Sequence, residues 1–196
     1  MGLAIAAEAG RRGALVTLVV GPTSLEPPSV QELVRVRGAA EMHRAVMDRS
    51  ASAEVVIMAA AVADYTPDRL AEQKISKDAD RLTVVLRPTA DILADLGARR
   101  AASGKGPLLI GFAAETEDVV ARATRKLHQK QVDLVVANDV SRSDAGFDVD
   151  SNAVTLVSDQ GTDVLPLQSK SRVASAILDR VERLLAGSPA MVGHKQ

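Results

Sequence analysis

Short apolar runs alternate with amphipathic stretches along almost the whole chain. Four runs are rich in β-branched or aliphatic residues and are bounded by small or turn-forming residues, which is typical of buried strands: ALVTLVV, EVVIMAA, GPLLIGFAA and VDLVVAND. Two further strands are predicted over Glu32–Arg37 and Arg81–Pro88. The run SNAVTLVSDQGTDVLPL predicts a β-hairpin that turns at Asp159–Gly161.

Apolar residues recur at helical spacing between these strands. The predicted helices are MGLAIAAEAGRR, AAEMHRAVMDRSAS, TADILADLGARRAA, ETEDVVARATRKLHQKQ and SKSRVASAILDRVERLLAG. Thr89 is the predicted N-cap of the third helix, and Gly187 ends the last one. Strands that alternate with helices indicate an α/β fold of the Rossmann-like, doubly wound class, with a mostly parallel sheet and an antiparallel hairpin at one edge.

A single domain over residues 1–187 accounts for this pattern, and residues 188–196 are predicted to form a tail. The sequence opens on a helix, whereas folds of this class usually open on a strand whose loop offers backbone amides to a phosphate. We therefore expect the first strand and the phosphate loop of the fold to be missing from this chain.

Composition narrows the classes of function. The chain has 196 residues, of which 46% are hydrophobic but only 2% aromatic, so the core must consist of Val, Leu, Ile and Ala. The charges of the 24 basic and 25 acidic residues nearly cancel, so the chain lacks the net positive charge that favours binding to nucleic acid. The absence of cysteine excludes disulfides, thiolate zinc sites and cysteine nucleophiles, and it suits a cytoplasmic location.

Polar residues follow small residues where three of the predicted strands end. The polar residues at these three strand ends are Asp64, Glu115, and the pair Asn138 and Asp139. In open α/β sheets, ligands bind beyond the carboxyl ends of the strands, and small side chains let a flat ligand reach the backbone. For Asn138 and Asp139, a simple turn after the strand is an equally good interpretation.

Lysines supply the second chemical signal. Lys74 and Lys77 lie in a polar segment after Pro67, and Lys126 and Lys130 are four residues apart on a predicted helix, so they share one face. Four cations near strand exits could hold a triphosphate. A solvated helix face is the commoner explanation of such a lysine pair.

Six motifs occur in order and carry a family resemblance: AAAVADYTP, QKISK, ADIL, GFAAET, DLVVANDV and GFDVDSNAVTLV. Together they resemble phosphopantothenoylcysteine synthetase, the synthetase half of the bacterial bifunctional coenzyme A biosynthesis flavoprotein. The resemblance extends from Met1 to about Leu185. It implies that 4'-phosphopantothenate attacks the α-phosphate of CTP to give an acyl-cytidylate and pyrophosphate. The amine of L-cysteine then attacks the activated carbonyl and releases CMP.

The resemblance also implies roles for individual residues. Lys74 would be the catalytic residue that stabilises phosphate charge during cytidylate formation, and Asp64 would contact the ribose or base. The implied nucleotide-binding residues are Met58, Ala59, Ala60, Asp64, Lys74, Ala90, Asp91, Ile92, Leu93, Phe112, Lys126 and Lys130. Mg²⁺ is expected with the triphosphate, without an assigned protein ligand. The resemblance further implies a homodimer that meets around Arg81–Pro88, and FMN only in a decarboxylase domain of the same polypeptide.

The sequence departs from the family pattern at its start. The family carries a strand, a GPT-like loop, an asparagine and a Ser-Ser-Gly-Lys-Met-Gly run, and this chain begins at the last Met-Gly of that run, as Met1 and Gly2. We therefore expect a fragment that retains part of the CTP pocket but is impaired in turnover. Near-normal product formation from CTP, phosphopantothenate and cysteine would contradict that expectation. The serine in QKISK also leaves Lys77 without a firm match as the second cation of its loop.

Two other interpretations fit the coarse fold. An NAD(P)-dependent short-chain dehydrogenase would need a Tyr-x-x-x-Lys pair on a helix, but the single tyrosine, Tyr65, is followed by Pro67 and then by Arg69. The glycine pattern of such an enzyme would lie before the first helix, where this sequence offers no test. A non-catalytic nucleotide-binding module would share the same fold, because fold alone does not fix function.

Overall fold

The structure is a computed structural model that describes residues 1–69, 71, 73–75, 81–115, 117–139 and 151–187. Lys77 and the predicted tail lie outside these residues. The helices are α1 (Gly2–Arg11), α2 (Ala39–Arg49), α3 (Ile92–Ser103), α4 (Val119–Gln129) and α5 (Lys170–Gly187). The strands are β1 (Thr17–Val20), β2 (Glu32–Arg35), β3 (Val55–Met58), β4 (Tyr65–Pro67), β5 (Leu86–Pro88), β6 (Leu108–Glu115), β7 (Leu134–Asp139), β8 (Ser151–Ser158) and β9 (Gly161–Ser169). Among the described residues, no helix combines the length and apolar character that a membrane span requires.

The central sheet has five strands in the order β3-β6-β7-β8-β9. The first three run parallel, and β8 and β9 form the predicted antiparallel hairpin at the edge, with Asp159 and Gln160 as its turn. Strands β1 and β2 form a separate parallel ladder, and β4 and β5 a short antiparallel one. Because parallel strands share one direction, the carboxyl ends of β3, β6 and β7 meet at the same edge of the sheet.

Helices cover both faces of this sheet, which confirms the Rossmann-like, doubly wound fold class. Successive residues of a strand point to opposite faces, so Leu109 and Ile110 of β6 belong to two different hydrophobic clusters. Helices α2, α3 and α4 contribute to the cluster that contains Leu109. Helices α1 and α5 contribute to the one that contains Ile110.

The approach to α3 differs from the prediction. Thr89 is not the N-cap; Asp91 is, and its Oδ1 accepts a hydrogen bond from the Ala94 amide at 2.9 Å. A carboxylate is as good a cap as a hydroxyl, and it lies directly before the first helical residue. The Thr89 hydroxyl instead donates to the Ala63 carbonyl oxygen at 2.6 Å, and the Thr89 amide donates to the Asp64 carbonyl oxygen at 2.9 Å.

The strand predicted over Arg81–Pro88 is shorter than expected. Only β5 at its end is a strand, because its partner β4 is itself three residues long. Strand β4 was not predicted, since Pro67 argues against a central strand. A two-stranded ladder consists of edges only, so the missing N–H of a proline at the last position is tolerated there.

Candidate functional site

A cleft of about 510 Å³ lies at the carboxyl ends of β3 and β6. Its walls come from the exit of β3, the start of α3, the end of β6 and one face of α4. The predicted nucleotide-binding residues that line it are Met58, Ala60, Asp64, Ala90, Asp91, Ile92, Leu93, Phe112, Lys126 and Lys130. Residues from four separate segments of the sequence therefore converge on one cleft.

Other predicted site residues lie elsewhere in the part of the chain that the structure describes. Ala59 and the exposed Lys74 do not line the cleft, nor does Asn138 near the end of β7. Asp139 is the last residue of β7, and its side chain is outside the described part. The binding and catalytic roles of all these residues stay predictions.

Asp91 joins the start of α3 to the end of α4. While its Oδ1 caps α3, its Oδ2 accepts a hydrogen bond from the ammonium of Lys130. Burial alone would raise the pKa of Asp91. The hydrogen bonds from Lys130 and the Ala94 amide, with the charges of Lys130 and Lys126, outweigh burial and hold the pKa below its usual value. Asp91 is therefore a charged partner that orients Lys130 in the cleft.

Lys126 lies on the same face of α4 as Lys130 and is hydrogen-bonded to β6. Its half-buried Nζ donates to the Phe112 carbonyl oxygen at 2.6 Å. Burial lowers the pKa of Lys126, while the carboxylates of Asp91, Glu115 and Asp64 oppose that effect. The hydrogen bond fixes this ammonium at the backbone of Phe112, a residue that the resemblance assigns to nucleotide binding.

Helix α4 also contributes cleft residues that the sequence interpretation missed: Arg122, Arg125 and Gln129. Arg122 Nη1 lies 3.4 Å from Glu115 Oε2 at the end of β6. Helical spacing could have revealed these residues, because Arg122 is one turn before Lys126. The predicted Lys126–Lys130 pair is thus the end of a longer polar face.

Two glycines let the cleft walls approach closely. A Cβ at Gly97 in α3 would lie 2.0 Å from the carbonyl oxygen of Lys130. A Cβ at Gly111 in β6 would lie 2.5 Å from Cδ2 of Leu93. Neither distance is compatible with van der Waals packing. Because the Lys130 oxygen belongs to the backbone, glycine at position 97 sets the spacing of α3 against the end of α4, whereas the Leu93 methyl group ends a side chain that can turn away. Gly111 is the first residue of the GFAAET motif, but the sequence predicted no role in the site for either glycine.

The cleft combines apolar surface with an excess of cations. Met58, Ile92, Leu93 and Phe112 are apolar, four basic side chains come from α4 and its end, and the carboxylates are those of Asp64, Asp91 and Glu115. Such a surface suits a ligand that has a flat part and an anionic part.

Magnesium could bind with such a ligand although the described residues contain no group of three or more His, Cys, Asp or Glu arranged to hold a metal ion. Mg²⁺ commonly takes only one or two carboxylates and obtains its other ligands from phosphates and water. Asp64 lines the cleft and forms no ion pair with another described residue, so its carboxylate fits that mode.

The chain is similar to known proteins over nearly its full length. A family model described as the DNA/pantothenate metabolism flavoprotein C-terminal domain matches residues 1–185. The coenzyme A biosynthesis bifunctional protein CoaBC of Vibrio vulnificus (strain YJ016) is 43% identical over 187 residues, which are 94% of this chain and 46% of that protein. A protein from an unknown prokaryotic organism, named cysteine/cysteine sulfinic acid decarboxylase, is 38% identical over 187 residues, or 94% of this chain and 51% of that protein.

Similarity extends to solved structures. The crystal structure of the C-terminal domain of coenzyme A biosynthesis bifunctional protein CoaBC superposes with a TM-score of 0.77 and 38% sequence identity. The match covers 94% of this chain and 81% of that structure's chain. The chain spans about half the length of the curated relatives it matches.

Proposed function

Because the chain belongs to the family of DNA/pantothenate metabolism flavoprotein C-terminal domains, we propose that it carries the phosphopantothenate–cysteine ligase activity of coenzyme A biosynthesis. In the proposed reaction, 4'-phosphopantothenate attacks the α-phosphate of CTP and pyrophosphate leaves. The amine of L-cysteine then attacks the acyl-cytidylate, and CMP leaves. The observation that supports this proposal most is the convergence of the predicted nucleotide-binding residues on one cationic cleft.

The proposed chemistry needs positioning and charge neutralisation rather than a nucleophile from the protein. The backbone near Met58 and Ala60 would contact the nucleotide, with Asp64 at its ribose or base. Lys126 and Lys130, held by Phe112 and Asp91, would neutralise phosphate charge. Mg²⁺, when bound, would add positive charge at the same phosphates.

The decarboxylase name of one relative does not favour a different activity for this chain. That relative and the bifunctional relatives each match over only about half of their length. The matched part contains the cleft, and the family model describes it as a C-terminal domain. We propose that FMN belongs to a decarboxylase domain of the same natural polypeptide.

Calorimetric titration tests the proposal directly. We expect CTP to bind in the presence of Mg²⁺ and NADPH to produce no heat of binding. Tight NADPH binding without CTP binding would overturn the ligase proposal in favour of the dehydrogenase-like alternative. The same cell can be titrated with CMP, which is expected to bind more weakly than CTP because it carries less phosphate charge.

We also propose that the chain forms a homodimer in the cytoplasm. The stretch that ends in β5 exposes four large apolar side chains, namely Leu82, Val84, Val85 and Leu86. A cluster of this kind favours burial against a partner. Light scattering at micromolar concentration should give twice the mass of the chain, and a monomer mass would contradict the proposed dimer.

A further inference from the structure

Helix α4 and the residue that follows it present five polar side chains to the cleft in two rows. The first row is Arg122, Lys126 and Lys130, and the second row is Arg125 and Gln129. Residues four apart on a helix lie one above the other on the same side, so each row is a continuous strip.

Every cation of the first row is already bound by a protein oxygen. Arg122 reaches Glu115 Oε2 at 3.4 Å, Lys126 reaches the Phe112 carbonyl oxygen at 2.6 Å, and Lys130 donates to Asp91 Oδ2. These contacts use one N–H group of each cation, so each lysine ammonium keeps two N–H donors and Arg122 keeps four. The first row therefore holds positive charge at positions that protein oxygens already set.

The side chains of the second row are exposed. Within the ranges that the structure describes, neither Arg125 nor Gln129 has a hydrogen-bond or ion-pair partner. The guanidinium of Arg125 keeps all five N–H donors, and its planar fork matches two oxygens of a phosphate group. The amide nitrogen of Gln129 lies one turn further along the same strip and can donate to a third oxygen.

We propose that Arg125, assisted by Gln129, is the phosphate-binding determinant of this cleft, an inference that rests on the proposed ligase function. Arg125 has no protein partner among the described residues, so its whole guanidinium fork can turn to a phosphate group, whereas each first-row cation is oriented by a protein oxygen. The shared chemistry of the ligand is a phosphate group. Its two possible sources are the triphosphate of CTP and the phosphate ester of 4'-phosphopantothenate.

The test compares Arg125→Gln with Arg44→Gln. Arg44 is exposed on α2 and is not among the lining residues of the cleft, so the control removes the same charge from a helix surface elsewhere. Dissociation constants for CTP, 4'-phosphopantothenate and inorganic pyrophosphate are measured by calorimetry at two salt concentrations. We expect Arg125→Gln to lower the affinity for one of the two substrates about tenfold and to reduce the salt dependence of that affinity. Arg44→Gln should leave the affinities for both substrates unchanged.

The outcomes separate the two proposals. Weaker CTP and pyrophosphate binding assigns the triphosphate to Arg125, and weaker 4'-phosphopantothenate binding alone assigns the phosphate ester. If the unaltered chain binds these ligands and Arg125→Gln behaves like Arg44→Gln, the role of Arg125 is overturned and the ligase proposal stands. If the unaltered chain binds pyrophosphate through Arg125 but not CTP, the ligase proposal fails alone. If it binds none of the three ligands, both fail.

Discussion

Replacing Gly97 with alanine is expected to lower the free energy of unfolding by about 3 kcal/mol, the upper end of the usual cost of overpacking a core. The new Cβ would lie 2.0 Å from the carbonyl oxygen of Lys130. That oxygen belongs to the backbone and cannot rotate away, so α3 must move from the end of α4. The movement would also displace Lys130 from Asp91. Urea denaturation measures the loss of stability.

Gly10→Ala is the matched control for this prediction. Gly10 also lies in a helix, and a Cβ there would meet nothing within 4 Å. Alanine has the higher helix propensity, so this variant should be as stable as the unaltered chain or more stable by up to about 1 kcal/mol. Equal urea midpoints for Gly97→Ala and the unaltered chain would show that α3 and α4 are not closely packed at this point.

Replacing Lys74 with alanine, in a protein that also carries the strand and phosphate loop of the family pattern, is expected to reduce pyrophosphate release from CTP and 4'-phosphopantothenate about 100-fold. Loss of one group that stabilises developing charge costs a rate factor of this order. Lys74 is exposed and does not line the cleft, so the proposed role requires its side chain to approach the phosphates during the reaction. The affinity for CTP should therefore fall much less than the rate does.

Lys105→Ala provides the comparison, because Lys105 is also exposed and is not a lining residue of the cleft. This variant should release pyrophosphate at the rate of the unaltered chain. If Lys74→Ala does the same, Lys74 has no catalytic role, and the alternative of a non-catalytic nucleotide-binding module becomes the better explanation.

The central sheet could be predicted from the sequence because its strands are covered on both faces. The runs that contain Leu109, Ile110 and Val135 are apolar at consecutive positions, and the structure divides these residues between the two hydrophobic clusters. The hairpin could be predicted for a different reason, namely its alternating pattern and the glycine after its turn.

Elements whose structure depends on a distant partner were predicted less well. The extent of β5 is set by its pairing with β4, which the sequence does not specify. The choice between Thr89 and Asp91 as the cap of α3 was decided by the contacts of Thr89 with Ala63 and Asp64, more than twenty residues earlier in the chain.

The candidate site shows the same division. The positions of Lys126 and Lys130 on one helix face followed from helical spacing, and the same rule extended by one turn would have found Arg122. The hydrogen bond of Lys126 to the Phe112 carbonyl oxygen could not have been predicted, because it joins a helix to a strand through tertiary packing. CTP as the ligand came from the family resemblance and not from any residue pattern.

Thr89 connects the β4–β5 ladder to the cleft. Its two hydrogen bonds reach the segment just before β4, and Asp91 of the cleft follows it by two residues. In the proposed homodimer, the exposed apolar residues beside β5 form the contact between protomers. A dimer contact that shifts this short connection also shifts the start of α3 in the cleft. Whatever factor dimerisation then imposes on the affinity for CTP, CTP must impose the same factor on the dimerisation constant, because such coupling is reciprocal.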